Sequence, residues 1–338
     1  MNQLKQTETN SRANNLRPYY AFLSSSGPLE KWRWPIFALL ILGTGLIIAI
    51  IGVAREFPDS FSYSPAYDID KGVKWAVAHW RGFFRTITSY LLEVLVPIED
   101  FMLWIPWWLF MTTIGLIAWR ASGKAVALGS ILGLLFLGAI GVWDQAMRTI
   151  AVVGSATILA VGFALPTGIV MAKSDRIERI VRPALDMMQT MPSFVYLIPC
   201  IYFMGLGKVP AVLATLIYAV PPAIRLTSLG IRLVSPELKE AARAFGTTGW
   251  QMLIKIELPL ARPTIMAGVN QTIMMALAMV VIASMVGAPG LGADVLAGVV
   301  QLEFGRGLMA GLGIVVMAVM IDRIAQGLAK DARTGSNR

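Results

Sequence analysis

Long uncharged apolar runs alternate with short charged segments along this chain. A helix of about 20 apolar residues crosses a bilayer. Eight runs are candidates: Pro35–Ala54, Phe101–Trp119, Ala125–Trp143, Thr149–Ala172, Met187–Gly207, Val209–Ile224, Pro263–Ala293 and Gly307–Ile321. Val209–Ile224 is short and closed by Arg225, and the last run gains a few residues at each end. Pro263–Ala293 is too long for one span, and Gly287-Ala288-Pro289-Gly290-Leu291-Gly292 ends its helix near Val286. The pattern predicts an all-α membrane protein, a polytopic helical bundle of about eight transmembrane helices.

Charge sets the orientation. With the N-terminus inside and eight alternating helices, 21 of the 29 Lys and Arg fall on the cytoplasmic side. Asp and Glu divide evenly, so the positive-inside rule puts both termini in the cytoplasm. The chain then divides into a cytoplasmic tail (1–34), a first helix (35–54), an external segment (55–100), a transmembrane domain (101–324) and a C-terminal tail (325–338). The first run ends in Gly52-Val53-Ala54, a cleavage-like site, but 34 residues precede it. A signal peptide has a short charged start, so this run reads as a retained anchor.

Within the external segment, Phe57–Asp70 is rich in Pro, Ser, Asp and Tyr and reads as loop. From Val73 a helical stripe follows: Ala76, Trp80, Phe83, Phe84, Ile87, Leu91, Val94 and Leu95. Lys74, His79, Arg81 and Arg85 lie mainly off it. The helix either lies in the membrane interface or packs on the external ends of the bundle.

The cytoplasmic loop 225–262 has internal order. Ser235-Pro236-Glu237 is a helix start: a cap, Pro at the first position, an acid in the first turn. Leu238, Ala241, Ala242 and Phe245 then share one apolar face, and Gly246 stops the helix. Thr248 and Gln251 form a capping box for a second helix with Trp250, Leu253 and Ile254 as its stripe, closed by Pro259. A ten-residue helix of about 15 Å suits docking in a groove of a soluble partner. An ordinary loop with two surface helices would show the same periodicity.

Glu240-Ala241-Ala242, Gly246 and Ile256-Glu257-Leu258-Pro259 have the spacing EAA-x3-G-x9-I-x-L-P. This resembles the EAA loop of ABC-type importer permeases. About 230 residues, from Phe101 to near Lys330, are similar to the permeases of glycine betaine/proline importers. The similarity is carried by 185–199 (LDMMQTMPSFVYLIP), 221–227 (PPAIRLT), 263–272 (PTIMAGVNQT) and 280–286 (VVIASMV). The first 100 residues depart from it, with Pro35–Ala54 an added span. The resemblance implies a type I ABC importer permease fold in a bacterial inner membrane. It implies docking of the loop on cytoplasmic ATPase subunits through Glu237, Glu240, Ala241, Ala242, Phe245, Gly246, Ile256, Leu258 and Pro259. It also implies an extracytoplasmic solute-binding protein and a permease homodimer in membrane lipid. ATP and Mg would be bound by the ATPase subunit, with no cofactor or metal in this chain and no nucleic acid partner.

Composition narrows the alternatives. Apolar residues make up 56%, charged residues 14% and mean hydropathy is +0.66, which excludes a soluble fold. With His79 the single histidine and Cys200 the single cysteine, a histidine-rich metal site, an HExxH zincin helix, a thiolate zinc cluster and an internal disulfide are excluded. The chain has no P-loop: at Gly123-Lys124, Ala118 replaces the first Gly and Ala125 the Ser or Thr. Ion-coupled transporters bury charge within spans. The core runs here are uncharged, which favours a solute of zero net charge: glycine betaine, proline betaine, proline or trimethylamine N-oxide before choline. Path candidates are Gln189, Thr190, Met191, Pro192, Ser193, Phe194 and Tyr196, where Pro192 and Pro199 break a helix, with Asn270, Gln271, Met274 and Met275 on the seventh span. The same polar residues could instead glue helices together. Gly154, Gly162 and Gly168 read as helix contacts, and Cys200 as a buried apolar residue.

Overall fold

The computed structural model of the chain describes residues 28–51 and 63–334. The tail up to residue 27, the Gly52-Val53-Ala54 site, the loop from Phe57 to Ser62 and the last four residues lie outside the described residues. The chain divides into two compact units, Met1–Lys71 and Gly72–Arg338. In the first, α1 (Pro28–Ile51) is apolar on all sides from Trp34 onward, and its large side chains from Trp34 to Ile48 are exposed. That is the character of a helix meant for lipid.

Thirteen further α-helices follow among the described residues: α2 (Ala66–Trp104), α3 (Trp107–Ser122), α4 (Lys124–Ala139), α5 (Trp143–Lys173), α6 (Asp175–Thr190), α7 (Leu197–Met204), α8 (Lys208–Arg232), α9 (Pro236–Ala244), α10 (Gly249–Met252), α11 (Leu258–Ala278), α12 (Val280–Ser284), α13 (Leu291–Val300) and α14 (Phe304–Thr334). The loop expected over Phe57–Asp70 ends early, because helix begins at Ala66.

Each of the eight uncharged runs carries helix. α5, α8 and α14 are each long and apolar enough to cross a membrane, and two bent pairs add up to two more spans. Trp34–Ile48 of α1 and Lys124–Ala139 are apolar but shorter. α11 has the length, but Arg262, Thr264, Asn270, Gln271 and Thr272 lower its apolar character.

Two of the expected spans are broken. α2 and α3 meet at 99° across Ile105-Pro106, and α6 meets Ser193–Met204 at 112° across Met191-Pro192. Proline forces the preceding residue out of the helical region, and Met191 is extended at φ −69°, ψ 137°. Pro199 was expected to break the helix as well. It sits in the first turn of α7, where a missing N–H costs nothing, and the helix continues.

α8 is the buried axis of the second unit, packed between α5 and α11. Gly168 makes that crossing close: a Cβ there would lie 2.6 Å from the Thr227 Cβ. Gly154 and Gly162, expected to do the same, have no neighbour within 4 Å of such a Cβ. Cys200 is buried against Tyr196 and Ala211.

The second half of α2 packs on the bundle. Leu91 and Leu95 contact the cluster of Val152, Ala156, Val209 and Val212. Glu99, 3% exposed, takes Arg148 Nη1 and Lys208 Nζ at 2.5 Å each. One buried carboxylate thus joins α2 to the starts of α5 and α8, with both partners close enough to offset its desolvation.

Candidate coupling surface and membrane path

The loop after α8 is built by its caps. Ser235 Oγ accepts from Leu238 N at 3.3 Å, and Pro236 occupies the first turn of α9. The Ser235 hydroxyl also holds the Glu237 carboxyl below its usual value. α9 ends where Gly246 adopts φ +77°, with Gly246 N donating to Arg243 O at 2.9 Å and Thr247 N to Ala242 O at 3.2 Å. This is the left-handed stop that the sequence required.

The apolar face of α9 is turned outward. Ala242 is buried, but Glu237, Leu238, Glu240 and Ala241 are exposed and Phe245 is 91% exposed. Trp250 beyond the turn is exposed too. An exposed Phe and Trp beside carboxylates make a surface fit to receive another protein.

Thr248 and Gln251 form the expected capping box: Gln251 N donates to Thr248 Oγ1 and Thr248 N to Gln251 Oε1. The second helix does not end at Pro259. After one turn of α10 the chain widens into a π-helical turn, Leu253–Glu257, and runs on into α11. Leu258 N reaches back to Leu253 O, so the widened turn makes room for Pro259 in the first turn of the next helix. Of the remaining motif residues, Leu258 packs with Ile231, Leu253 and Ala261, and Ile256 is half-buried in the π turn.

Glu257 is the residue that sequence reasoning left unassigned. It is 3% exposed, with Oε2 2.5 Å from Lys173 Nζ at the end of α5 and Oε1 3.7 Å from Lys239 Nζ of α9. Lys239 Nζ also donates to Ile231 O at 3.2 Å. Glu257 and Lys239 together therefore tie α9 to α5, α8 and the start of α11. Its motif position accepts any residue, so no spacing rule pointed to it.

α6 lies beside this loop as a strongly amphipathic helix with Leu185 as its buried residue. Arginines of α8 clamp it. Arg232 pairs with Asp175 at 2.8 Å and Glu178 at 2.9 Å, and Arg225 pairs with Asp186. Between α5, α6 and α8 they line a cavity of about 500 Å3.

The proposed path residues separate into two groups. Gln189, Thr190, Pro192, Phe194, Gln271 and Met274 are exposed, with Met191, Ser193 and Met275 half-buried. On α11 the exposed stripe runs Ala267, Gln271, Met274, Ala278. Tyr196 and Asn270 are engaged elsewhere. Tyr196 is buried and donates its hydroxyl to Met188 O, and Asn270 Nδ2 donates to Asp322 Oδ1 of α14 at 3.0 Å. These two act as helix glue.

The model of the family described as "Binding-protein-dependent transport system inner membrane component" matches residues 164–334, the span from mid-α5 through this loop to the end of α14. This chain belongs to that family. The permease is 45% identical over 270 residues, 80% of its own chain and 76% of the relative, to the glycine betaine/proline betaine transport system permease protein ProW of Escherichia coli (strain K12). It is 44% identical over 269 residues to the glycine betaine transport system permease protein OpuAB of Bacillus subtilis (strain 168), covering 80% of this chain and 95% of that one. A chain of the MetNI methionine ABC transporter, solved in inward-facing form, superposes with a TM-score of 0.52 at 20% identity, covering 59% of this chain and 97% of that one. The permease therefore belongs with the compatible-solute ABC importer permeases and has their fold. As an inner-membrane component of a binding-protein-dependent system, it works with an ATPase and a solute-binding protein. A 270-residue match cannot start later than residue 69 in this chain, so the similarity reaches upstream of Phe101 and takes in most of α2.

Proposed function

We propose that the permease imports a zwitterionic compatible solute, of the glycine betaine and proline betaine type. Two copies form the path, two ATPase subunits drive it from the cytoplasm, and both chain termini are cytoplasmic. ATP and Mg belong to the ATPase, and this chain carries no catalysis. The observation that carries the reading is the outward-facing surface of α9. Its exposed Phe245, Ala241 and Glu240 are presented by the Ser235 cap and the Gly246 stop, and Glu257 ties them to the membrane helices. A docking helix fixed this way transmits movement to α5, α8 and α11.

The solute class rests on the names of the relatives at 43–46% identity and on the uncharged core runs. A second reading, trimethylamine N-oxide, rests on a relative from Ruegeria pomeroyi (strain ATCC 700808 / DSM 15171 / DSS-3) that is 40% identical over 66% of this chain. Competition separates the two. In cells lacking other betaine uptake, the transporter should take up labelled glycine betaine. Excess proline betaine should suppress that uptake, and choline should not. Uptake suppressed by trimethylamine N-oxide and indifferent to proline betaine would replace the first solute by the second. For orientation, a cysteine at the exposed Ser64 should react with an impermeant thiol reagent added outside intact cells. Reaction only after permeabilisation would invert the topology.

A further inference from the structure

The 99° bend at Pro106 has a geometric consequence: with α3 crossing the bilayer, the 39-residue α2 runs along the membrane surface. Its first half presents Lys74, Val77, Ala78 and Arg81 at i, i+3, i+4 and i+7, a single helical face. Those four residues line an open cavity of about 330 Å3, bordered on its other side by Tyr202 of α7. The wall is held in place next door, where Phe84 of α2 stacks on Phe203 of α7 with ring centroids 4.4 Å apart.

Several basic residues of the second unit are held by carboxylates. Arg148 and Lys208 share Glu99, Arg306 takes Asp294 and Glu303, and Arg225 and Arg232 take the acids of α6. Among the described residues Lys74 and Arg81 have no carboxylate partner. Seven residues of helix separate their Cα atoms by roughly 10 Å along the axis. Two such long side chains can converge on one anion between them, with the Tyr202 hydroxyl as a further donor. Around the cavity, Trp75, Trp80 and Phe83 are exposed. Exposed aromatic rings on a surface helix sit at headgroup depth. An anion held there is a phosphate that brings its own acyl chains.

We propose that Lys74, Arg81 and Tyr202 form a binding site for the phosphate headgroup of an anionic phospholipid, wedged between α2 and α7. The lipid fills the cavity and neutralises the two unpaired cations. The surface attraction of anionic lipid for each nearby Lys or Arg supports the preference.

The test uses the purified importer in neutral detergent, with phosphatidylglycerol and phosphatidylcholine added in equal amounts and bound lipid counted by native mass spectrometry. The intact importer should retain phosphatidylglycerol over phosphatidylcholine. The double variant Lys74→Gln/Arg81→Gln should lose at least about tenfold of that preference. Both positions are exposed, so the substitutions leave the packing alone. The charge-keeping variant Lys74→Arg/Arg81→Lys should restore retention. Inorganic phosphate alone should bind the site weakly and fail to displace the lipid at equal concentration. Equal phosphatidylglycerol retention by intact and double-Gln proteins would overturn the proposal, as would equal loss in the charge-keeping variant. Phosphate binding as tightly as the lipid would assign the site to a free anion instead.

Discussion

Gly246→Val should insert in the membrane at normal levels and abolish most solute uptake. Gly246 sits at φ +77°, and a Cβ there would meet nothing within 4 Å. No clash contributes, so the whole effect is backbone strain. A β-branched residue in the left-handed region costs about 1–2 kcal/mol. That strain depletes the turn that presents α9 by about five- to thirty-fold. Uptake and the stimulation of ATP hydrolysis by loaded binding protein should fall together by that factor. Gly246→Asn should stay near the parent activity, because Asn visits the left-handed region readily. Equal activity of the Val and Gly proteins would remove the turn from the coupling account. So would equal loss in the Asn variant.

Glu257→Ala should uncouple the transporter. The carboxylate is 3% exposed and holds Lys173 and Lys239 from two different elements. Removing it leaves the lysine ends without their acceptor, but both lysines reach solvent, at 43% and 23% exposure. The loss is therefore at the low end of the range for a broken buried contact, about 1–3 kcal/mol. The membrane helices should remain folded, because α8 keeps a row of buried side chains, from Val209 to Ile224, between α5 and α11. What is lost is the register of α9 against α5. We expect ATPase subunits still bound, uptake lowered about tenfold, and more ATP hydrolysed per solute imported. Glu257→Asp, which keeps the charge on a shorter arm, should fall between. The ratio of ATP hydrolysed to solute imported is the deciding readout. A lowered uptake at an unchanged ratio would make Glu257 a stabilising residue only.

Much of this architecture was legible because it depends on local rules. Uncharged runs marked the helices. Ser235, Pro236, Gly246 and the Thr248–Gln251 pair marked the loop with near-residue accuracy, since each acts on backbone groups within a few positions. What the sequence hid was non-local or depended on which turn a proline occupies. Pro106 and Pro192 break helices, while Pro199 and Pro259 sit in first turns and break nothing. Glu99 and Arg148 are 49 positions apart, and Lys173 and Glu257 are 84 apart. No periodicity brings such pairs together. α13 begins in the last residues of the Pro263–Ala293 run and lies mostly beyond it, and its close approach to Val280 and Thr149 is visible only in three dimensions. Asn270 was a path candidate because it shares helical spacing with Gln271 and Met274 on the seventh span, and Tyr196 because it follows the helix break at Pro192. Their partners, Asp322 and the Met188 carbonyl, explain them as packing.

The central claim is that this permease imports its solute only as part of an ATP-driven, binding-protein-dependent assembly. The most direct measurement is uptake of labelled glycine betaine into proteoliposomes holding the permease with its ATPase subunits, ATP inside and the solute-binding protein outside. Accumulation should require ATP, the ATPase and the binding protein together, and should persist when sodium and proton gradients are collapsed. Accumulation by the permease alone, driven by an ion gradient without ATP, would contradict it.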